Sequence, residues 1–247
     1  MSNVTIALIT DIHIPKEGDN PMDIDVRAKF RQQIEAMKQD TFDELIVAGD
    51  LCFKEGTKEI YQWVKSYLDE LNVSYYIIPG NHDNRDNLID VFDLFHLYDG
   101  EELYYKKTIG DKQFLFLDSG KGYMLEKQFT WLQDLVPQLQ NDVTIFMHHP
   151  PTISKVPHMD NNFAFQNMDR IQSLLKQHDE TIDVFCGHYH VEKFVRKSNL
   201  NVYITPSPFF NLSHEKEDFY IENQLIGWRK IIFEDDKLYT FVNYTNA

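Results

Sequence analysis

Cysteine is almost absent from this chain. Cys52 and Cys186 are the only two in 247 residues, and each closes an apolar run. So few thiols exclude a disulfide framework and a cysteine-based zinc finger, and both are expected as buried, reduced thiols. With 10 Gly and 9 Pro, the chain is neither collagen-like nor low-complexity. No apolar run approaches the roughly 20 residues that a membrane-spanning helix needs. The first residues lack a basic segment followed by an apolar one, so no signal peptide is expected and the compartment expected is the cytoplasm. Positive charge is also scarce, with 24 Lys+Arg against 39 Asp+Glu and a formal net charge of -15. A surface of that sign repels polyanions, which argues against duplex nucleic acid as a partner. It does not exclude a small phosphate ester, because bound cations invert the local potential.

What is present is a globular composition, with 43% hydrophobic and 14% aromatic residues. That length accommodates one large core, and with no repeat or linker the expectation is one domain over residues 1–247. Exposed aromatics leave a homo-oligomer open. Short apolar runs recur at Val4 to Thr10, Glu44 to Ala48, Ser74 to Ile78, Gln113 to Leu117, Val143 to Met147 and Ile182 to Cys186. Each is brief, rich in β-branched or aromatic residues and stopped by a polar or Gly-containing turn, and each predicts a buried strand. Between them, Val26, Phe30, Ile34 and Met37, and Ile60, Trp63, Val64, Tyr67, Leu68 and Leu71, follow helical spacing and predict core-facing helices. Leu200 to Thr205, Arg229 to Phe233 and Lys237 to Tyr244 predict further strands, the last two joined by a turn at Asp235-Asp236. The fold class expected is α/β, with two packed sheets flanked by helices and polar motifs at strand ends.

Polar clusters follow the predicted strands: Asp11-Ile12-His13, Gly49-Asp50, Gly80-Asn81-His82-Asp83, His148-His149-Pro150 and Gly187-His188-Tyr189-His190. Carboxylate, amide and imidazole donors suit Mn, Fe or Zn, and the pattern points to catalytic ions. Asp-x-His and Gly-Asp are common and often mean only turn chemistry or a helix cap. Gly-Asn-His-Asp and Gly-His-x-His are more specific, and all five motifs in this order are hard to explain by coincidence.

In these motifs the chain resembles the calcineurin-like metallophosphoesterases, whose signature is Asp-x-His, Gly-Asp, Gly-Asn-His-Asp/Glu, His and Gly-His-x-His. Within that family it is most similar to class III cyclic-nucleotide phosphodiesterases, on Gly80 to Asp83, His148 to Pro151 and Cys186 to His190. Thr205-Pro206-Ser207 and Gly227-Trp228-Arg229 extend the similarity towards the C-terminal strands.

The resemblance implies a four-layer α/β/β/α fold with two mixed sheets, and two metal ions drawn from Mn, Fe and Zn. It implies that Asp11, His13, Asp50 and His190 hold one ion, and that Asp50, Asn81, His148 and His188 hold the other, with Asp50 as the bridge. His149 remains the alternative to His148. A pair of cations acidifies a shared water into a hydroxide that attacks phosphorus. His82 would then protonate or stabilise the leaving oxygen, with Asp83 orienting its imidazole. The implied substrate is a 3',5'-cyclic nucleotide such as cAMP. The alternatives are another small phosphorylated metabolite or lipid precursor, and a non-catalytic scaffold.

The remaining polar residues divide more evenly. His96 and His178 fall in helical stretches and His158 and His214 in polar loops. Arg85 is either a phosphate contact or an exposed helix-start residue. Pro206-Ser207-Pro208-Phe209-Phe210 lacks the Thr-Cys usual after Pro-Ser. Phe209, Phe210 and Tyr123 are candidates for stacking on a base, though each also reads as core or interface.

Overall fold

The computed structural model describes residues 3–245. Strands β1 (Val4–Ile9), β2 (Glu44–Ala48) and β3 (Ser74–Ile78) alternate with helices α1 (Val26–Met37) and α2 (Lys58–Asp69), and α3 (Arg85–Phe92) follows. The hairpin β4 (Tyr105–Ile109) and β5 (Lys112–Leu117) leads through α4 (Glu126–Leu135) to β6 (Val143–Met147). Short helices α5 (Pro157–Asn162) and α6 (Met168–Leu175) then precede β7 (Ile182–Cys186). The rest is β8 (Lys193–Lys197), β9 (Leu200–Ile204), β10 (Asn211–Leu212), β11 (Ile221–Asn223), β12 (Ile226–Glu234) and β13 (Lys237–Thr245). None of the helices described is long and apolar enough to cross a membrane.

Two mixed sheets form, in the orders β13-β12-β1-β2-β3 and β4-β5-β6-β7-β9-β8. In the first, β1, β2 and β3 run parallel and β12 and β13 close one side antiparallel. In the second, β5, β6, β7 and β9 run parallel between antiparallel β4 and β8. The parallel strands read as unbroken apolar runs because both of their faces are covered. Aromatic contacts join the sheets: Tyr76 meets Phe116 at 5.7 Å and Phe233 meets Phe114 at 5.5 Å between ring centroids. Helices flank the pair, as the sequence predicted.

The predicted strands and both periodic helices are present within a residue or two at each end, except that β12 begins three residues before the predicted Arg229. The Asp235-Asp236 turn is tight, with φ of 48° and 61°, the left-handed geometry that matches the twist of a two-residue hairpin. Strand β4 escaped prediction because Tyr-Lys-Lys-Thr-Ile carries an exposed middle and only two buried ends. His158, expected in a loop, lies on α5.

Parallel strands place their carboxyl ends on one edge of a sheet, where side chains from distant segments meet. The loops after β1, β2, β3, β6 and β7 carry the five polar motifs, and the packing of the two sheets brings these edges together.

Candidate metal centre

Regular strand geometry sends alternate side chains to opposite faces, so Asp11 and His13 converge only because the chain leaves that geometry. Asp11 has φ of 54° and His13 of 45°. Asp50, His188 and His190 are also left-handed, at 54°, 66° and 50°. A non-glycine residue there costs roughly 1–2 kcal/mol, and such residues collect where function repays the strain. Amides tie the turns down, with Asp11 N donating to Gly49 O at 3.0 Å and His13 N to Asp50 O at 3.0 Å.

Glycine is needed where these loops touch. A Cβ on Gly187 would overlap Thr10 and the Asp11 carboxylate, and one on Gly49 would lie 2.6 Å from His148 Nδ1.

Three groups of side chains bring one potential ligand atom each within 4.8 Å of the others: Asp11, His13 and His190; His13, Asp50 and His82; and Asp50, His148 and His188. Asp50 is common to two of them. His190 Nε2 lies 3.4 Å from Asp11 Oδ1, His148 Nε2 lies 3.3 Å from Asp50 Oδ2, and His13 Nε2 lies 3.7 Å from the same Asp50 oxygen. Both carboxylates are anchored through their other oxygen. Asp11 Oδ2 accepts from the His188 amide at 2.9 Å, and Asp50 Oδ1 accepts from the His82 amide at 2.8 Å.

The imidazoles are oriented by backbone carbonyls. His148 Nδ1 lies 2.8 Å from Ala48 O and His190 Nδ1 3.2 Å from Phe210 O, so an Nδ1–H donated to each leaves Nε2 as the free lone pair. His188 is held the other way, by Nε2 at 3.0 Å from Phe163 O.

Asp11 Oδ1 and His148 Nε2 are buried without any hydrogen-bond partner. Stranding polar atoms in this way costs about 1–3 kcal/mol each, a penalty that a cation between the groups would remove. The donors in these groups are carboxylate oxygen and imidazole nitrogen, a set suited to Mn, Fe or Zn. The residues therefore fit a pair of metal ions.

Electrostatics reinforce this. Burial drives His13 down to about 3 and His188 down to about 4, so both imidazoles are held neutral, the form that ligates. His148 differs: burial works against its charge, yet the Asp50 and Asp11 carboxylates prevail and lift it to about 9, so a cation would have to displace the Nε2 proton to be ligated there. Burial would raise Asp11, but His190 holds it down at about 2.

His149 stands outside all three groups. Its ring lies 4.0 Å from that of His188, its Nδ1 3.2 Å from Ser119 Oγ, and burial pushes it well below the ordinary histidine value. Asn81 is exposed in the turn after β3. His82 is half-buried, with its ring edge-on to that of His13 at 5.0 Å.

Asp83 does not orient that imidazole. Its carboxylate accepts from Leu51 N at 3.1 Å, Gly80 N at 2.9 Å and Tyr61 Oη at 3.1 Å, so it clamps the loops after β2 and β3 together. Burial and the charge of Asp50 raise it to about 7. Arg85 is no free phosphate contact either, because its Nε and Nη2 grip buried Asp118 at 2.8 and 2.7 Å.

Among the candidates for stacking, Phe209 and Phe210 are buried, and they wall in His13 and His190 with ring centroids at 5.8 and 4.6 Å. Tyr123 is exposed, His178 is buried with Nε2 2.8 Å from Asn141 O, and His96 and His214 are exposed. The sequence did not single out Tyr61, and it marked Ser207 only within Thr205-Pro206-Ser207 and Pro206-Ser207-Pro208-Phe209-Phe210, without its contact. Ser207 Oγ donates to Asp11 O at 2.7 Å, but nothing local in Pro-Ser-Pro signals a contact with residue 11.

An α/β pair of mixed sheets with three overlapping acidic, imidazole-rich groups at its strand ends has the architecture of a metal-dependent hydrolase. Residues 4–192 match the family model described as calcineurin-like phosphoesterase, and the chain belongs to that family. It is 29% identical over 242 residues to a probable cyclic nucleotide phosphodiesterase of Fibrobacter succinogenes, covering 98% of this chain and 94% of that one. It is also 32% identical over 156 residues to a probable glycerophosphodiester phosphodiesterase of Arcobacter nitrofigilis, covering 60% of this chain and 56% of the other. In fold it is similar to a dimetal phosphatase from Danio rerio, with a TM-score of 0.68 at 15% identity and coverage of 93% and 95%. The chain is a metal-dependent phosphoric ester hydrolase.

Proposed function

We propose that this hydrolase is a dinuclear phosphodiesterase acting on 3',5'-cyclic nucleotides. The observation that carries the reading is the sharing of Asp50 between adjacent carboxylate–imidazole groups, in which Asp11 Oδ1 and His148 Nε2 are buried and otherwise unpaired. Asp11, His13, Asp50 and His190 would hold one ion, and Asp50, Asn81, His148 and His188 the other. When bound, such a pair of cations supplies Lewis acidity to the phosphoryl oxygens and an acidified water as nucleophile.

The protein's own contribution is positional. Backbone carbonyls fix the His148 and His190 rings, and the His188 and His82 amides fix the two carboxylates. His82 is the half-buried imidazole beside the cluster, suited to hand a proton to the departing alkoxide. Asp83 positions its loop through Leu51, Gly80 and Tyr61. The full-length similarity to a probable cyclic nucleotide phosphodiesterase supports the substrate class. The partial match to a probable glycerophosphodiester phosphodiesterase favours a second reading, an acyclic diester derived from a lipid.

Metal-depleted protein assayed on bis(p-nitrophenyl) phosphate, 3',5'-cyclic AMP and a glycerophosphodiester, before and after adding Mn, tests both. Mn-dependent cleavage of cyclic AMP that Asp50→Ala abolishes is the expected result. Preference for the glycerophosphodiester would move the assignment to the second reading, and inactivity on all three at full metal occupancy would overturn the diesterase assignment.

A further inference from the structure

Two large aromatics stand exposed beside the candidate centre, Phe163 at 50% and Phe219 at 46% of their accessible surface. Exposed apolar side chains scattered singly are ordinary. These two are not scattered. From His190 the Phe210 ring is 4.6 Å away, Phe219 is 5.6 Å from Phe210, His158 is 5.8 Å from Phe219, and Phe163 is 5.6 Å from His158. The carbonyl of Phe163 then lies 3.0 Å from His188 Nε2. The row of rings thus starts and ends on two imidazoles of the metal-ligand groups. His158 Nδ1 lies 3.2 Å from Glu217 O, a contact that ties the loop bearing Phe219 to the helix preceding Phe163.

The inner member of this row is covered and the outer ones are open. Phe210 is 6% exposed and packs on His190, whereas Phe163 and Phe219 turn apolar ring surface to solvent. A glycerol-type ester offers such rings nothing planar to stack on. A nucleobase does, and stacking is tolerant of which base it is.

We infer that Phe163 and Phe219 form a stacking rim that selects phosphodiesters carrying a nucleobase over those with aliphatic alcohols. The inference rests on the diesterase reading and specifies its substrate. The rim contributes binding and not chemistry, so it acts on KM, because rings outside the ligand groups hold ground state and transition state alike.

Phe163→Ala and Phe219→Ala alter exposed positions and should leave folding intact. With Mn-loaded protein, KM for 3',5'-cyclic AMP should rise about 10-fold in the Phe219→Ala variant, with kcat within about twofold. A base-free substrate, the 3',5'-cyclic phosphate of methyl riboside, should show no change, and Phe219→Tyr should restore the KM. Independently of turnover, calorimetry should find AMP binding about 10-fold more tightly than ribose 5-phosphate, with the gap closed in the double alanine variant. Equal affinities for the two ligands, or equal losses on both substrates, overturn the rim. If wild-type protein cleaves no diester, the diesterase reading fails separately, and the comparison of AMP with ribose 5-phosphate still decides the rim.

Discussion

The Tyr61 hydroxyl donates to Asp83 Oδ1 at 3.1 Å and accepts from the Asn84 amide at 2.9 Å, which couples helix α2 to the loop carrying Asn81 and His82. Tyr61 is fully buried, and Asp83 also receives the amides of Leu51 and Gly80. Removing the hydroxyl in Tyr61→Phe strips one donor from a buried carboxylate and leaves the Asn84 amide unpaired, at about 1–3 kcal/mol. Urea unfolding should show that loss. Activity should fall modestly, since the remaining amides still hold the loop, and an unchanged midpoint would show that the clamp is idle.

Metal should stabilise the fold through the atoms left unpaired in its absence. A ligand at 100 times its Kd adds about 2.7 kcal/mol, roughly 5–10 °C in melting temperature for a chain of this size. Thermal scans of metal-depleted protein with and without Mn should show that rise in wild type and little of it in Asp50→Ala. An equal shift in both would place the ions elsewhere.

His82→Ala separates chemistry from metal holding. Turnover should drop at least about 100-fold, while elemental analysis should find metal content near that of wild type. Because one His82 ring nitrogen is within 4.8 Å of potential ligand atoms on His13 and Asp50, the opposing outcome is a parallel loss of metal and activity, which would make His82 a ligand.

Glu102 predicts a pH dependence away from the metal groups. It is fully buried, accepts from Leu125 N and Gln128 Nε2 at 2.9 Å each, and is lifted by burial from the ordinary 4.5 to about 7. A carboxyl raised on folding favours the folded state most when protonated. That contribution is complete below about 4.5 and is lost as pH rises through about 7. The melting temperature should therefore decline between pH 5 and pH 8, and less steeply in Glu102→Gln, which carries no charge at either end. Identical slopes would remove Glu102 from the account.

Much of this protein was legible in its sequence because the relevant signals are local. Runs such as Val143 to Met147 are short and apolar since both faces are covered, and the amphipathic stripe from Ile60 to Leu71 declares a helix. The polar motifs from Asp11 to His190 fall at strand ends, and the fold draws Asp11, His13, Asp50, His148, His188 and His190 together because parallel strands deliver their carboxyl ends to a common edge.

What the tertiary structure alone decided are relations between residues far apart in the chain. His148 turns Nε2 to Asp50 because Ala48, 100 positions earlier, takes its Nδ1. Asp83 and Arg85 were misread because their partners, Tyr61 and Asp118, lie 22 and 33 positions away. Phe219 and Phe163 carry no periodic signal, and only the fold brings their loops to the histidines. Residue identity and spacing determine which atoms are available to ligate, whereas the direction each atom faces depends on contacts that exist only once the sheets have packed.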